Sequence, residues 1–348
     1  MKNRLFNANT GRWLSGAVLI LALAGCQTAP PVATGPNLEQ LQKQAVSAQR
    51  MGQYNTALKA YLELLDAQPD NLEYLYQIGQ IQAQLGKNDH AITAFQDVLR
   101  AKPDHLPAMT SLALLHMERG DNGQARTYLD KAIRLDQKRL YAEDTSIQVQ
   151  LGEVGTQPWH ALDERSPLKA YQALGILRDL NADFDGAQAL YRLVLTLQPS
   201  NAKALNNLGY SYYLAGDLIR AETYLRRATQ RQPEFLRAWT NLGLVYVRQG
   251  QSERAFQAFR RVMPEADAYN DIGYFVMLEG QLKEAERLFI KAIDASPIYF
   301  ATAQDNLRAV QQLQLRTRVA DSDAVREAVI KARFQSGGFS QSHSLVGH

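Results

Sequence analysis

Six histidines, one cysteine and a scatter of serines and acids are the side chains here that could carry catalysis or hold a metal ion. The histidines are His90, His105, His116, His160, His343 and His348. Two histidines on one helical face, or histidine joined by thiolates, would make a zinc site, and no such set occurs. Only His160 has acids three and four residues on, Asp163 and Glu164, and one imidazole with two carboxylates falls short of a metal centre. Cys26 stands alone, so neither an intramolecular disulfide nor a multi-thiolate site can form. No glycine-rich phosphate loop, dinucleotide fingerprint or G-x-S-x-G elbow is present. These residues imply no enzyme, no metal and no cofactor.

Charge narrows the classes further. The chain has 348 residues, 46% hydrophobic and 21% charged, enough apolar matter for a large core. Its 38 basic residues exceed its 35 acidic ones only because Lys2, Arg4 and Arg12 lie in the first 25 residues, which hold no acid. Beyond them the signs balance, whereas a protein gripping phosphates normally carries a basic excess. The expectation is no nucleic-acid partner.

Stepping along the chain, small residues recur at a fixed interval. Gly52, Gly86 and Gly120 are 34 apart, as are Ala57, Ala91 and Ala125, with Pro69 and Pro103 at the same spacing. A second block repeats it through Gly175, Gly209 and Gly243, through Ala187, Ala221 and Ala255, and through Pro199 and Pro233. The last step is 30 residues, to Gly273, Gly280 and Ala285. Within one period Leu205, Leu208, Gly209 and Tyr212 share a helical stripe, Gly216 breaks it, and Ala221, Leu225 and Ala228 form a second stripe before Pro233. Gly209 and Ala221 lack the bulk that would hold paired helices apart, and Gly216 tolerates the positive φ that ends a helix. Acids near the inter-helix turns, Asp89, Asp121, Asp185 and Asp217, are expected to satisfy free amides opening each second helix.

This pattern resembles the tetratricopeptide repeat (TPR), and Trp239, Leu242, Gly243, Tyr246, Ala255 and Phe259 match it again. The resemblance implies an all-α solenoid of about seven helix-turn-helix units: three over 37–137, an insertion at 138–167, four over 168–297, and a capping helix at 298–317. The first unit, with Gln44 at an apolar position, reads as the polar N-terminal cap. Tyr299, Ala303, Leu307 and Val310 are expected to cover the last pair. His116, mid-helix where the repeat favours an aromatic, reads as a packed or groove-lining residue. The insertion, 28 residues beyond the period, reads as a degenerate repeat or extended helix, with a binding loop as the alternative. Residues 318–348, ending in a Gly/Ser-rich stretch, read as a largely disordered tail with a short helix at 323–333. In TPR proteins the first helices line a concave groove for a peptide or helix. The corresponding positions here are Lys203, Asn206, Asn207, Tyr210 and Tyr213, then Arg237, Asn241, Leu244 and Arg248. Asn207 and Asn241 take the place where the family's groove asparagines hold a ligand backbone. A two-carboxylate clamp is not expected, because Asn241 replaces one of its cations.

The N-terminus carries an address. Cations at Lys2, Arg4 and Arg12 precede an apolar run from Trp13 to Leu23, shorter than the about 20 residues a spanning helix needs. Leu23-Ala24-Gly25-Cys26 resembles the bacterial lipoprotein signal, which implies removal of residues 1–25, acylation of Cys26, and a membrane anchor through several chains. Residues 26–36, rich in proline and small residues, read as the tether. Gln27, where an aspartate would favour the inner membrane, implies the periplasmic face of the outer membrane.

The last unit is less generic. Ala266-Asp267-Ala268-Tyr269-Asn270-Asp271-Ile272-Gly273-Tyr274, then Glu284-Ala285-Glu286, Ser296-Pro297-Ile298-Tyr299-Phe300 and Asp305-Asn306-Leu307, resembles the TadD-like lipoproteins of tight-adherence (Flp/Tad) pilus assembly. That resemblance implies a scaffold or pilotin-like factor whose partner is a protein, such as a secretin or another pilus-assembly component. The alternatives are an adaptor lipoprotein regulating peptidoglycan enzymes and, third, a periplasmic enzyme using the insertion.

Overall fold

The computed structural model describes residues 37–143 and 159–335, with side chains as far as Arg318. The expected signal segment, Cys26 and its tether, residues 144–158 of the insertion, and the tail beyond 335 lie outside the described residues. Among the described residues every element is helical. Seven antiparallel hairpins follow one another: α1 (Leu38–Arg50) with α2 (Tyr54–Ala67), α3 (Leu72–Gln84) with α4 (Asn88–Ala101), and α5 (Leu106–Glu118) with α6 (Asn122–Glu143). After the insertion come α7 (Leu168–Leu180) with α8 (Phe184–Leu197), α9 (Ala202–Leu214) with α10 (Leu218–Arg231), α11 (Leu236–Arg248) with α12 (Ser252–Phe259), and α13 (Glu265–Leu278) with α14 (Leu282–Ala295). A long helix, α15 (Ala301–Gln335), closes the array. Each helix packs on the next, and from α3 onward successive first helices also touch, giving a solenoid. No described helix is long and apolar enough to cross a membrane.

The repeat residues make the hairpins interlock. Leu205, Leu208, Tyr212, Ala221, Leu225 and Ala228 are all buried. A Cβ on Gly175 would stand 2.5 Å from the Tyr191 ring, and one on Gly209 would stand 2.7 Å from Leu225 Cγ, so only glycine allows the helices this close. Three first helices, α1, α3 and α9, start from asparagine caps: Asn71 accepts from the Glu73 amide at 3.1 Å and Asn201 from the Ala204 amide at 3.0 Å, while His105 caps α5. Of the acids expected to cap second helices, Asp121 and Asp217 do so, at 3.1 and 2.9 Å. Asp89 and Asp185 instead sit inside the first turns of α4 and α8. Asp89 pairs there with Arg119, and the cap of α8 is Asp183, two residues earlier, accepting from Gly186 at 3.1 Å. A carboxylate inside the first turn still opposes the helix dipole favourably without satisfying an amide. The inter-helix turns use glycines with φ between +71° and +85°, except in the fourth hairpin, where Ala182 adopts φ 58°.

The insertion does not interrupt the stack. α6 runs on to Glu143, and α7 packs directly on α5 and α6. The returning segment is clasped to α6 by a polar cluster. Arg139 donates to both carboxylate oxygens of Asp163, at 2.7 and 2.8 Å, and to Asp136 at 2.6 Å. The fully buried Asp136 also accepts from the Tyr171 hydroxyl at 2.9 Å, and Gln137 donates to that hydroxyl at 2.8 Å. The Arg139 hydrogen bonds hold the Asp163 carboxyl well below the usual carboxylate range, while burial drives the Tyr171 phenol far above its ordinary value.

Two departures lie at the C-terminal end. The capping helix does not stop at 317 or break before 323: α15 is continuous to Gln335 because no glycine or proline occurs from Ala301 to Gln335. Ala303 and Val310 are buried against the last hairpin and Leu307 packs beside them. Tyr299 does not cover it. Residues 296–300 form a non-helical connection in which Ser296 donates to the Ile298 carbonyl at 2.8 Å, and Tyr299 remains exposed ahead of the helix. At the other end, Gln44 faces solvent while Ala45 and Ala48 take the packing.

Candidate functional site

The side chains that α7, α9, α11 and α13 turn away from their second helices form one face. Lys169, Lys203 and Arg237, spaced by the 34-residue period, repeat along one edge, and all three are exposed. Beside them run Ile176, Tyr210, Leu244 and Tyr274, then Leu180, Leu214, Arg248 and Leu278. Leu180 and Leu278 are 66% and 63% exposed, large values for leucines on ordered helices. In the N-terminal hairpins the equivalent positions are more polar, with Gln80, Gln84 and Glu118 among them.

The aromatic residues anticipated here are organised by contact. Tyr210 and Tyr213 stack with ring centroids 5.7 Å apart and planes 18° apart. The Arg248 guanidinium lies 5.2 Å from the Tyr213 centroid and donates to the Tyr213 carbonyl at 3.3 Å, while burial pushes the Tyr213 phenol up. Leu244 is half-buried between the exposed Arg237 and Arg248.

The asparagines divide into two kinds. Asn206 and Asn241 are 2% and 9% exposed, and the Asn241 amide donates to the Asn206 carbonyl oxygen at 2.9 Å across α9 and α11. Asn206 in turn donates to Asn207 at 3.3 Å, and Asn207 alone of the three is partly open. Asn206 and Asn241 therefore tie neighbouring hairpins together beneath the face, because a buried amide must find a partner. The same device recurs where sequence reasoning did not look for it: Asn306 donates to Asn270 at 2.9 Å, and Asn270 donates to Asp271 at 3.3 Å. Burial raises the Asp271 carboxyl above its ordinary value. The signal available was the paired Asn206-Asn207 and Asn270-Asp271 at matching places in two units.

Other residues singled out for chemistry are engaged structurally. Asp163 is held by Arg139, and the His160 backbone amide donates to Gln137 at 2.9 Å. His116 stacks on Tyr128 at 5.8 Å and lies 3.4 Å from Asp121. Among the described residues no group of three or more His, Cys, Asp or Glu side chains is placed to hold a metal ion. A depression of about 630 Å³, lined by Tyr76, His105, Ser111, Leu114, Arg165 and Lys169 among others, carries the face across the insertion. The His105 imidazole there is held below its usual value by burial.

Sequence and structure comparisons agree on the class. The tetratricopeptide-repeat signature matches residues 43–105, 76–139 and 220–271, and a second signature of the same repeat matches 202–235. Residues 43–139 and 202–271 are thus tetratricopeptide repeats, and the described residues fold as an all-helical solenoid of that repeat, the kind of array that carries protein-protein interactions. No curated protein matches it in sequence. Among solved structures, a tetratricopeptide-repeat protein from Parabacteroides merdae aligns at TM-score 0.50 and 15% identity, over 79% of this chain and 98% of that one. PilW, described as a widely conserved type IV pilus biogenesis factor, aligns at TM-score 0.50 and 20% identity, over 64% of this chain and 90% of its own. The APC/C hetero-tetramer Cut9–Hcn1 gives TM-score 0.55 at 17% identity, over 80% of this chain and 50% of that one. At these identities the likeness is one of fold.

Proposed function

We propose that this chain is a lipid-anchored scaffold on the periplasmic face of the outer membrane, serving assembly of a Flp/Tad-type pilus or its secretion apparatus by holding a partner polypeptide on its first-helix face. The observation that carries the binding role is the cation-edged apolar face of α7 to α13. It is solvent-open, while the opposite stripe of the same helices is used in packing. The anchor reading rests on Leu23-Ala24-Gly25-Cys26 behind its cations and apolar run. The pilus reading rests on the segment from Ala266 to Leu307 and is supported by the fold likeness to PilW. A secretin or another envelope component of the apparatus is the partner this reading names.

The test begins with radiolabelled palmitate, which should mark the wild-type chain and not Cys26→Ser. Chemical crosslinking in membranes should then recover an outer-membrane partner with the wild type. Asn207→Ala combined with Lys203→Glu and Arg237→Glu should lower that recovery several-fold. Unlabelled protein would remove the anchor, and undiminished recovery by the triple variant would remove the face.

A further inference from the structure

The face is not uniform along the array, and the difference has a chemical direction. The edge position that holds Lys169, Lys203 and Arg237 in the fourth to sixth hairpins holds Glu39, Glu73 and Pro107 in the first three. Among the described residues no carboxylate forms an ion pair with Lys169, Lys203, Arg237 or Arg248, whereas most other arginines on the array have acidic partners. The row ends at Asp267. Of the other acids near this surface, Asp179 accepts from Ser211 at 2.6 Å and from Tyr191 at 2.9 Å and Asp271 accepts from Asn270, while Asp267 and the exposed Glu279, which acts on Tyr213, lie at its seventh-hairpin end. The outer row changes in parallel, since Leu180, Leu214 and Leu278 are exposed where the N-terminal hairpins carry Arg50, Gln84 and Glu118, while the inner row holds Ile176 and Tyr274 against Val46, Gln80 and Leu114.

Spacing decides what kind of chain fits. Neighbouring first helices lie side by side, close enough for the Asn241–Asn206 hydrogen bond, and such axes run roughly 8–10 Å apart. Each hairpin therefore offers one apolar contact about every 10 Å. One face of an α-helix repeats every seven residues, or about 10.5 Å, which keeps step with that ladder. Same-side residues of an extended strand recur about every 6.6 Å and fall out of step.

We infer that the first-helix face of the fourth to seventh hairpins receives an amphipathic α-helix whose apolar seam is flanked by acidic residues. This rests on the reading that the face holds a polypeptide, and it specifies the class of that polypeptide. The seam lies over Ile176, Tyr210, Leu244 and Tyr274, and the acidic flank lies along Lys169, Lys203 and Arg237. Unpaired cations at the rim steer and orient such a helix, while the apolar row supplies the burial.

The experiment uses the full chain in phosphatidylcholine nanodiscs, with empty discs subtracted. The probes are fluorescent four-heptad peptides, about 28 residues long, with a leucine seam. One peptide is flanked by glutamate, its twin by lysine, and a third is the glutamate peptide interrupted by proline. The glutamate helix should bind at least about ten-fold tighter than its twin at low salt, with the gap closing at high salt. Lys169→Glu/Lys203→Glu/Arg237→Glu should reverse the preference. Leu180→Ser/Leu278→Ser, altering exposed residues, should weaken both helices by about five-fold while leaving the circular dichroism unchanged. Equal binding of the twins, equal binding of the proline peptide, or no binding of any of them overturns the inference. Partner recovery from membranes is measured separately, so the scaffold reading survives or falls on its own result.

Discussion

Replacing Arg139 by methionine should unfasten the array at its middle. The guanidinium is the counter-charge of Asp136, whose side chain is fully buried, and makes two further hydrogen bonds to Asp163. Removing one partner of a buried pair costs about 3–5 kcal/mol, because the remaining charge stays desolvated without compensation. Asp163 and Glu143 are more exposed, so each of their pairs adds no more than about 1 kcal/mol. A loss of about 4 kcal/mol is therefore expected, most of it from Asp136. Because hairpins touch only their neighbours, the damage should stay local, and one urea transition should divide into two, with early hydrogen exchange in α6 and α7. Asp136→Asn in the Arg139→Met background removes the stranded charge and should recover more than half of the loss. The pH dependence carries a second signature. The depressed Asp163 carboxyl contributes stability that is complete above the unfolded value near ~3.9 and is lost as pH falls toward its lower folded value. Below about pH 4 the wild type should lose more stability than the variant, which keeps only the Ser166 and Arg165 hydrogen bonds to Asp163. A loss under about 1 kcal/mol, or no rescue by Asp136→Asn, would refute the reasoning.

Three further outcomes follow from the packing. Ala182→Gly should raise stability by about 0.5–1 kcal/mol in urea titration, since alanine pays for its left-handed backbone at φ 58° where the other turns use glycine. Gly175→Val should cost about 3 kcal/mol or more, because its Cβ alone would press to 2.5 Å on the buried Tyr191 ring, and the loss should appear as lowered helicity on mild heating. Burial raises the Asp179 carboxyl, so the folded chain takes up a proton more readily than the unfolded one. Relative to Asp179→Asn, the wild type should accordingly become less stable as pH rises from 4 to 7, and parallel curves for the two would count against the assignment.

The hairpins were legible because their determinants are local and repeat: a glycine where helices cross, a glycine where they turn, a proline between units. Features that depend on partners one unit away were not. The repeated pair Asn206-Asn207 and Asn270-Asp271 marks the place, but only stacking shows that the Asn206 oxygen accepts from Asn241, 35 residues on. Capping acids were misplaced by two residues at Asp185 because Asp183 and Asp185 look alike in sequence, and only the start of α8 at Phe184 tells them apart. A helix end was expected at 317, yet no glycine or proline stands there to stop the helix, and α15 runs on to Gln335. For the candidate face, Lys203, Tyr210, Tyr213, Arg237, Leu244 and Arg248 were readable as outward positions, while Ile176, Leu180, Tyr274 and Leu278 emerge only once the stacking is seen. Lys169 belongs to the same row by spacing and went unremarked beside the insertion.

The clasp around Arg139 also bears on engineering. Glu143 and Trp159 sit at two ends of a chain whose anchoring points, α6 and the 159–166 turn, are already bound to each other. Extra length between such anchors costs only about 0.6 kcal/mol per doubling. A fluorescent protein or affinity module grafted between residues 143 and 159 should therefore ride on the solenoid as a passenger, reporting where in the cell the array sits while the Arg139 clasp still joins α6 to the 159–166 turn.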